Sequence, residues 1–248
     1  MSTVLAGPTI GSLFLEMRYS GQALAKGTGF LCSSTNRGLV LITNRHNVTG
    51  RNQQTGQPLS NTSGVPDEIA ISHHRVGEFG AWVTAVEPLY ANGSPLWFEH
   101  PVLGATADFV ALPLTQLTDV KPFTYDPVRP GGVAVGPADP ISVIGFPFGL
   151  RLAGSFPVWA TGFVASEPEI DYLDTPTFLI DCRTRPGQSG SPVVAYRSGL
   201  YTTTDNSVVA NGVPGFRFLG IYSGRVNSES DLGIVWKARA IAELIQTM

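Results

Sequence analysis

The run Arg185-Pro-Gly-Gln-Ser-Gly-Ser-Pro192 is too polar for a core strand and sets Ser189 between Gly187 and Gly190. Glycine reaches backbone angles that other residues avoid, so Gly187 can turn its N–H outward beside that of Ser189. Two N–H groups converging on one oxygen form an oxyanion hole, in which a single donor is worth about 3 kcal/mol of transition-state stabilisation. Taken alone, the run reads equally well as a turn joining two strands.

A serine hydroxyl needs a base to become nucleophilic. The four histidines, at 46, 73, 74 and 100, all precede Ser189. An α/β-hydrolase places its histidine after the nucleophile, and Ser191 stands where the second glycine of that nucleophile elbow belongs. A subtilisin-like order needs an acid ahead of the base and an α/β architecture. The order His, Asp, Ser survives. His46 directly follows the apolar run Leu39–Thr43 in ITNRHNVTG, where the end of a core strand would fix its ring. His73 and His74 read as exposed at a strand end, without further ligands at a spacing that suits a metal. His100, just before Pro101, reads as a loop residue. Asp108 opens the apolar run DFVALPL. A carboxylate there is costly unless paired, which makes it the candidate to orient a buried imidazole.

These residues need a scaffold, and the sequence points to an all-β one. Gly and Pro number 28 and 19 of 248 residues and punctuate short apolar runs, the pattern of a sandwich or barrel. The runs include Ser12–Met17, Gly29–Cys32, Leu39–Thr43, Glu68–Ser72, Ala81–Val86 and Asp108–Leu114. A second set comprises Ile141–Ile144, Val158–Val164, Phe178–Cys182, Pro192–Ala195, Phe216–Tyr222 and Gly233–Trp236. Between the sets, Thr124–Pro140 carries four prolines and three glycines and reads as a connection. One helix is predicted, from Trp236 onward, with Ile241, Leu244, Ile245 and Met248 on one face at helical spacing.

With 43% hydrophobic and 14% charged residues the chain is not disordered. A net charge of −3 provides no footprint for nucleic acid or an anionic membrane. No apolar run reaches the roughly 18 residues of a membrane span. The stretch Ser2–Leu15 lacks a preceding basic residue and a cleavage site, so the expectation is no signal peptide and a cytoplasmic protein. Cys32 and Cys182 then read as buried small hydrophobes rather than a disulfide.

Together these stretches resemble the trypsin-like serine peptidases, in particular their bacterial HtrA-like branch. GTGF (Gly27–Phe30) followed by LVLITNRHNV is similar to the family's histidine segment, GATADFVALPL to its aspartate segment and RPGQSGSP to its nucleophile loop. ISVIGFPFGL (Ile141–Leu150) resembles the opening of the second barrel, and FLGIYSG with LGIVW the last strands before a terminal helix. The resemblance implies two six-stranded Greek-key β-barrels with the active site between them and a C-terminal helix. In one peptidase domain, the halves would span about 10–123 and 141–248, joined by a linker at about 124–140.

It further implies that His46 is the base, Asp108 the orienting acid, Ser189 the nucleophile, and Gly187 and Ser189 the oxyanion donors. No cofactor or metal is called for, and the partner is a protein or peptide substrate. Tyr222-Ser223-Gly224 resembles the strand that pairs with substrate backbone. The pocket for the residue before the scissile bond would be lined by Asp181–Pro186, with Arg183 near its base and Thr184 beside it. An inward Arg183 would favour an acidic residue, and an outward one leaves a small or apolar pocket. Gln188 replaces the aspartate that secreted members use for activation, and no PDZ-like segment follows within this sequence. The alternative is a latent or inactive protein of this fold that serves as an effector regulated by a partner protein, or as a binding module.

Overall fold

The computed structural model describes residues 5–227 and 229–248, so Ser2–Val4 of the stretch weighed as a signal peptide lie outside the described residues. The first half comprises β1 (Ser12–Tyr19), β2 (Gln22–Ser34), β3 (Gly38–Thr43), the short helix α1 (Arg45–Thr49), β4 (Glu68–His74), β5 (Trp82–Pro88), the small strands β6 (Tyr90–Ala91) and β7 (Ser94–Pro95), and β8 (Val110–Pro113). The second half comprises β9 (Pro140–Gly145), β10 (Val158–Val164), β11 (Thr177–Asp181), β12 (Pro192–Arg197), the short pair β13 (Tyr201–Thr202) and β14 (Val208–Val209), β15 (Gly215–Arg225), β16 (Leu232–Lys237) and the closing helix α2 (Ala238–Thr247).

Alternation along the strands builds each core. Leu13, Leu15 and Met17 of β1 point to one side, where they meet Leu31, Leu41, Ile69 and Ile71. The six main strands of this half run in the order β5-β4-β1-β2-β3-β8. The expected second closure is absent here, because β5 and β8 share no ladder among the described residues. The other half is a closed barrel, ordered β10-β11-β16-β15-β12-β9. Chymotrypsin-like architecture is thus present with one barrel closed and one six-stranded sheet.

A third core joins the halves. Phe30 and Phe109 from the first meet Ile144, Phe218 and Trp236 from the second, with Ile241, Leu244 and Ile245 of α2 and Met248 just after it packed on them. The apolar face predicted for α2 is the face it buries. No helix among the described residues is long and apolar enough to cross a membrane. Cys32 and Cys182 are both free and buried, as expected.

Two of the other histidines depart from expectation. His73 and His74 are buried, not exposed, because β4 lies between β1 and β5 and is covered on both faces. His74 stacks on Trp82 and donates its Nε2–H to the Ile10 carbonyl, while neither ring nitrogen of His73 has a partner. His100 is a buried turn residue whose Nε2 lies 3.1 Å from Glu243 of α2.

Candidate active site

The histidine segment does not hold His46 on a strand end. After β3 the chain turns into α1, a five-residue helix with no apolar periodicity to announce it, closed by Gly50 in the left-handed region (φ 65°). The first turn of any helix leaves backbone N–H groups without partners. Here the N–H of His46 donates to Oδ1 of Asp108 at 3.1 Å. The imidazole of the same residue reaches the same carboxylate, with Nδ1 2.8 Å from Oδ2 and 3.0 Å from Oδ1. A carboxylate only accepts, so the pairing fixes Nδ1 as the donor and leaves Nε2 of the neutral ring as the acceptor.

Asp108 is 3% exposed, and its desolvation is offset by three donors. Besides the two from His46, Ser223 donates its hydroxyl to Oδ2 at 2.5 Å. The Asn44 amide donates to the Asp108 carbonyl oxygen at 2.5 Å, so the backbone ahead of β8 is fixed as well.

The Ser189 loop belongs to the second half but is pinned to the first. The Ser189 carbonyl accepts from the Thr28 N–H at 2.9 Å and from the Asn47 amide at 3.3 Å. Thr28 Oγ1 donates to the Gly187 carbonyl at 2.8 Å, and Thr43 Oγ1 to the Thr28 carbonyl at 2.8 Å. Both flanking glycines are in the left-handed region, at φ 94° and 87°. A Cβ on Gly190 would lie 2.0 Å from the Thr28 carbonyl oxygen, and one on Gly187 2.4 Å from that of Phe146. Neither position admits a side chain, which accounts for the glycines that drew attention to Ser189.

Among the described residues, neither the Gly187 N–H nor the Ser189 N–H donates to a protein acceptor. Both remain available to an incoming oxygen. Ser189 is half-buried, and its hydroxyl makes no hydrogen bond to His46 among the described residues. Gln188 is buried, accepts the Arg185 N–H at its Oε1 (2.8 Å) and leaves its Nε2 without a partner.

A cleft of about 380 Å³ opens between the halves, touching His46, Asp108, Ser223 and Gly224 and overhung by Leu173. Tyr222 still bonds through its backbone to Gly190 and Ser191; past it, β15 is paired with β16 on one side, and Ser223 and Gly224 line this cleft. Arg183 is not at a pocket base. Its side chain is 78% exposed and lies 3.6 Å from Asp231, a pairing that draws it to solvent. Thr184 is the buried neighbour, and its hydroxyl meets that of Tyr222 at 2.5 Å. The Tyr222 ring abuts Gly233 and Ile180, and burial pushes its phenol up to about 12. The Cys182 thiol is likewise raised, to about 11, by burial and then by Asp181 and Asp231, so it is no nucleophile near neutral pH.

The structure brings His46 and Asp108, both singled out in the sequence, into contact and adds Thr28, Asn44 and Asn47, which the sequence did not single out, around them and the Ser189 loop. The dense Thr/Asn run Thr43–Thr49 is polar for the largely buried place it occupies, but it does not point to the partner of Asn47, and Thr28 lies outside it. Among the described residues no group of His, Cys, Asp or Glu side chains is arranged to hold a metal ion.

A chymotrypsin-like fold with this arrangement at the junction of its halves defines the trypsin-like serine proteases as a class. The profile of the trypsin-like peptidase domain matches residues 27–201, and the chain belongs to that family. Its architecture is similar to that of the serine endoprotease from Yersinia pestis, with a TM-score of 0.52 at 13% identity over 95% of this chain and 61% of that one. The chain therefore spans less than two thirds of that relative. It is also similar to the MamO protease domain from Magnetospirillum magneticum, with a TM-score of 0.51 at 15% identity over 95% and 96% of the two chains. Identities this low speak for the fold alone. No curated protein matches the chain by sequence.

Proposed function

We propose that the chain is a serine endopeptidase acting on protein or peptide substrates through His46, Asp108 and Ser189. The observation that carries this reading is the doubly bonded His46–Asp108 pair (2.8 Å at Oδ2), next to a nucleophile loop with two unused N–H groups. His46 Nε2 takes the hydroxyl proton of Ser189 as Oγ bonds to the substrate carbonyl carbon. The oxyanion is met by the Gly187 and Ser189 N–H groups. The C–N bond then breaks, with the proton passing from Nε2 to the leaving amine. Water adds to the acyl-enzyme as His46 takes its proton, and that proton returns to Ser189 when the acid departs.

Substrate backbone on the acyl side pairs with the Ser223–Gly224 edge. With Arg183 turned to solvent and the buried, hydrogen-bonded Thr184–Tyr222 pair beside the Ser189 loop, the residue before the scissile bond is small. A fluorophosphonate probe tests the core of the reading. Labelling of the wild type but not of Ser189→Ala supports it, and equal labelling of both refutes it.

One observation favours a second reading, a latent enzyme awaiting substrate or a regulatory partner. The Ser189–His46 hydrogen bond is not formed. Such bonds often tighten only in the substrate complex, so probe labelling that appears only with added substrate peptide or partner separates the two readings.

A further inference from the structure

We propose that the leaving-group side of the site is an apolar subsite that selects an aliphatic or aromatic side chain within the first two residues after the scissile bond. The inference rests on the peptidase reading above and goes beyond it by naming a substrate feature. An open cavity of about 420 Å³ borders Gly187, with Leu24, Ala25, Lys26, Phe148 and Pro186 among its walls. Among the described residues, Lys26 is the only charged one that lines it.

This cavity shares no lining residue with the cleft at His46, Asp108 and Ser223. Ser189 lies between them, since its carbonyl is bonded to Thr28, two residues on from Lys26, and to Asn47, one on from His46. A substrate whose acyl part runs along Ser223–Gly224 and whose carbonyl oxygen meets the Gly187 N–H sends its leaving part over Gly187 into the cavity. The occupant is thus fixed by continuity with the site.

Phe148 makes the case for a built subsite. It is 63% exposed and adopts φ 55°, a left-handed angle that is a genuine outlier for a bulky residue. Strain of this kind persists where the surroundings enforce it, and it gathers at binding sites. The enforcing contact is the Phe148 N–H, which donates to the Pro186 carbonyl at 2.6 Å. The turn is braced further by Gly149 against the Lys26 stem. Later in the same loop Phe156 packs on Trp82 and His74, at 5.1 and 5.9 Å between ring centres. An aromatic ring held at a cavity mouth by a strained, anchored turn is a preformed apolar wall.

The test uses acyl transfer. The enzyme is acylated with one small ester, and amides of different amino acids and dipeptides compete with water for the acyl group. Leucine- or phenylalanine-bearing acceptors are expected to outcompete glycine- and aspartate-bearing ones by roughly tenfold, the scale of one buried aliphatic side chain. Leu24→Ser and Phe148→Ala should each flatten that ranking, which is read as the partition of the acyl group between acceptors and water within each variant and so does not depend on that variant's rate of acylation. A flat ranking in the wild type, or one that both variants retain, overturns the inference with the peptidase reading intact. Absence of Ser189 labelling overturns both. Calorimetric binding of the same acceptors to Ser189→Ala provides a readout without turnover, and equal affinity for leucine- and glycine-bearing acceptors there also overturns the inference.

Discussion

Ser223 donates its hydroxyl to the same Asp108 oxygen, Oδ2, that receives the His46 ring, at 2.5 Å against 2.8 Å. The residue resembling a substrate-pairing position is therefore also a positioning residue for the acid. The cleft is lined by Ser223 and by the Asp108 to which its hydroxyl is bonded.

Ser223→Ala removes one of the donors to a buried carboxylate. A hydrogen bond to a charged group is worth about 1.5–3 kcal/mol, so kcat should fall roughly tenfold or more with KM little changed. Steady-state kinetics on a peptide substrate check this, and an unchanged kcat would show that His46 alone holds Asp108 in place. Ser223→Thr, which keeps the hydroxyl, should recover most of the loss.

Gly190→Ala forces a Cβ into the Thr28 carbonyl at a backbone angle that only glycine adopts freely. The expected result is loss of probe labelling together with destabilisation of about 1–3 kcal/mol. Denaturant unfolding measures the second effect. A variant of wild-type stability and reactivity would mean that the loop need not dock on β2.

Tyr222→Ala should widen the acceptance of residues before the scissile bond. With the ring in place, Gly, Ala and Ser are favoured over Phe. Without it, kcat/KM for a Phe substrate should rise about tenfold or more, on the scale of one large apolar side chain buried. The ring also belongs to the barrel core, so the comparison is made below the variant's unfolding midpoint. A ranking that does not change would place the selecting contacts elsewhere.

His73 makes stability depend on pH. Burial, and secondarily the neighbouring His74, lower its pKa from 6.5 to about 4. Between those values the unfolded chain binds the proton and the folded one does not, so stability rises with pH across that window and is complete above 6.5. The contribution lost on acidification to pH 4 is about 3 kcal/mol. Because neither ring nitrogen has a partner, His73→Leu should flatten the thermal midpoint between pH 4 and 6.5 and raise it at the acid end. A midpoint that stays as steep in pH would assign the dependence to other groups.

Particular residues show what the sequence made legible. Val158–Val164 was readable as a strand from its own pattern, and the structure gives β10 the same bounds. The α2 face was readable because helical spacing is local. Gly187 and Gly190 could be singled out because their types are dictated by backbone angle. Arg183 could not be placed, since its direction is set by Asp231, far along the chain. The same holds for His73 and His74, whose burial is decided by β1 and β5 on either side, and for α1, too short to carry a period. Thr28 and Asn47 escaped for a related reason. Their partner is Ser189, 142 residues beyond Asn47, and a lone Thr or Asn carries no sign of such a bond.

The bonds from Thr28 and Asn47 to the Ser189 carbonyl mean that the half carrying Ser189 does not hold it alone. Part of the hold is supplied from across the junction, so reactivity at Ser189 gauges how the two halves are seated. A molecule that wedges them apart would silence the site without touching it. Gentle heating or low denaturant should likewise extinguish probe labelling before either set of β-strands melts.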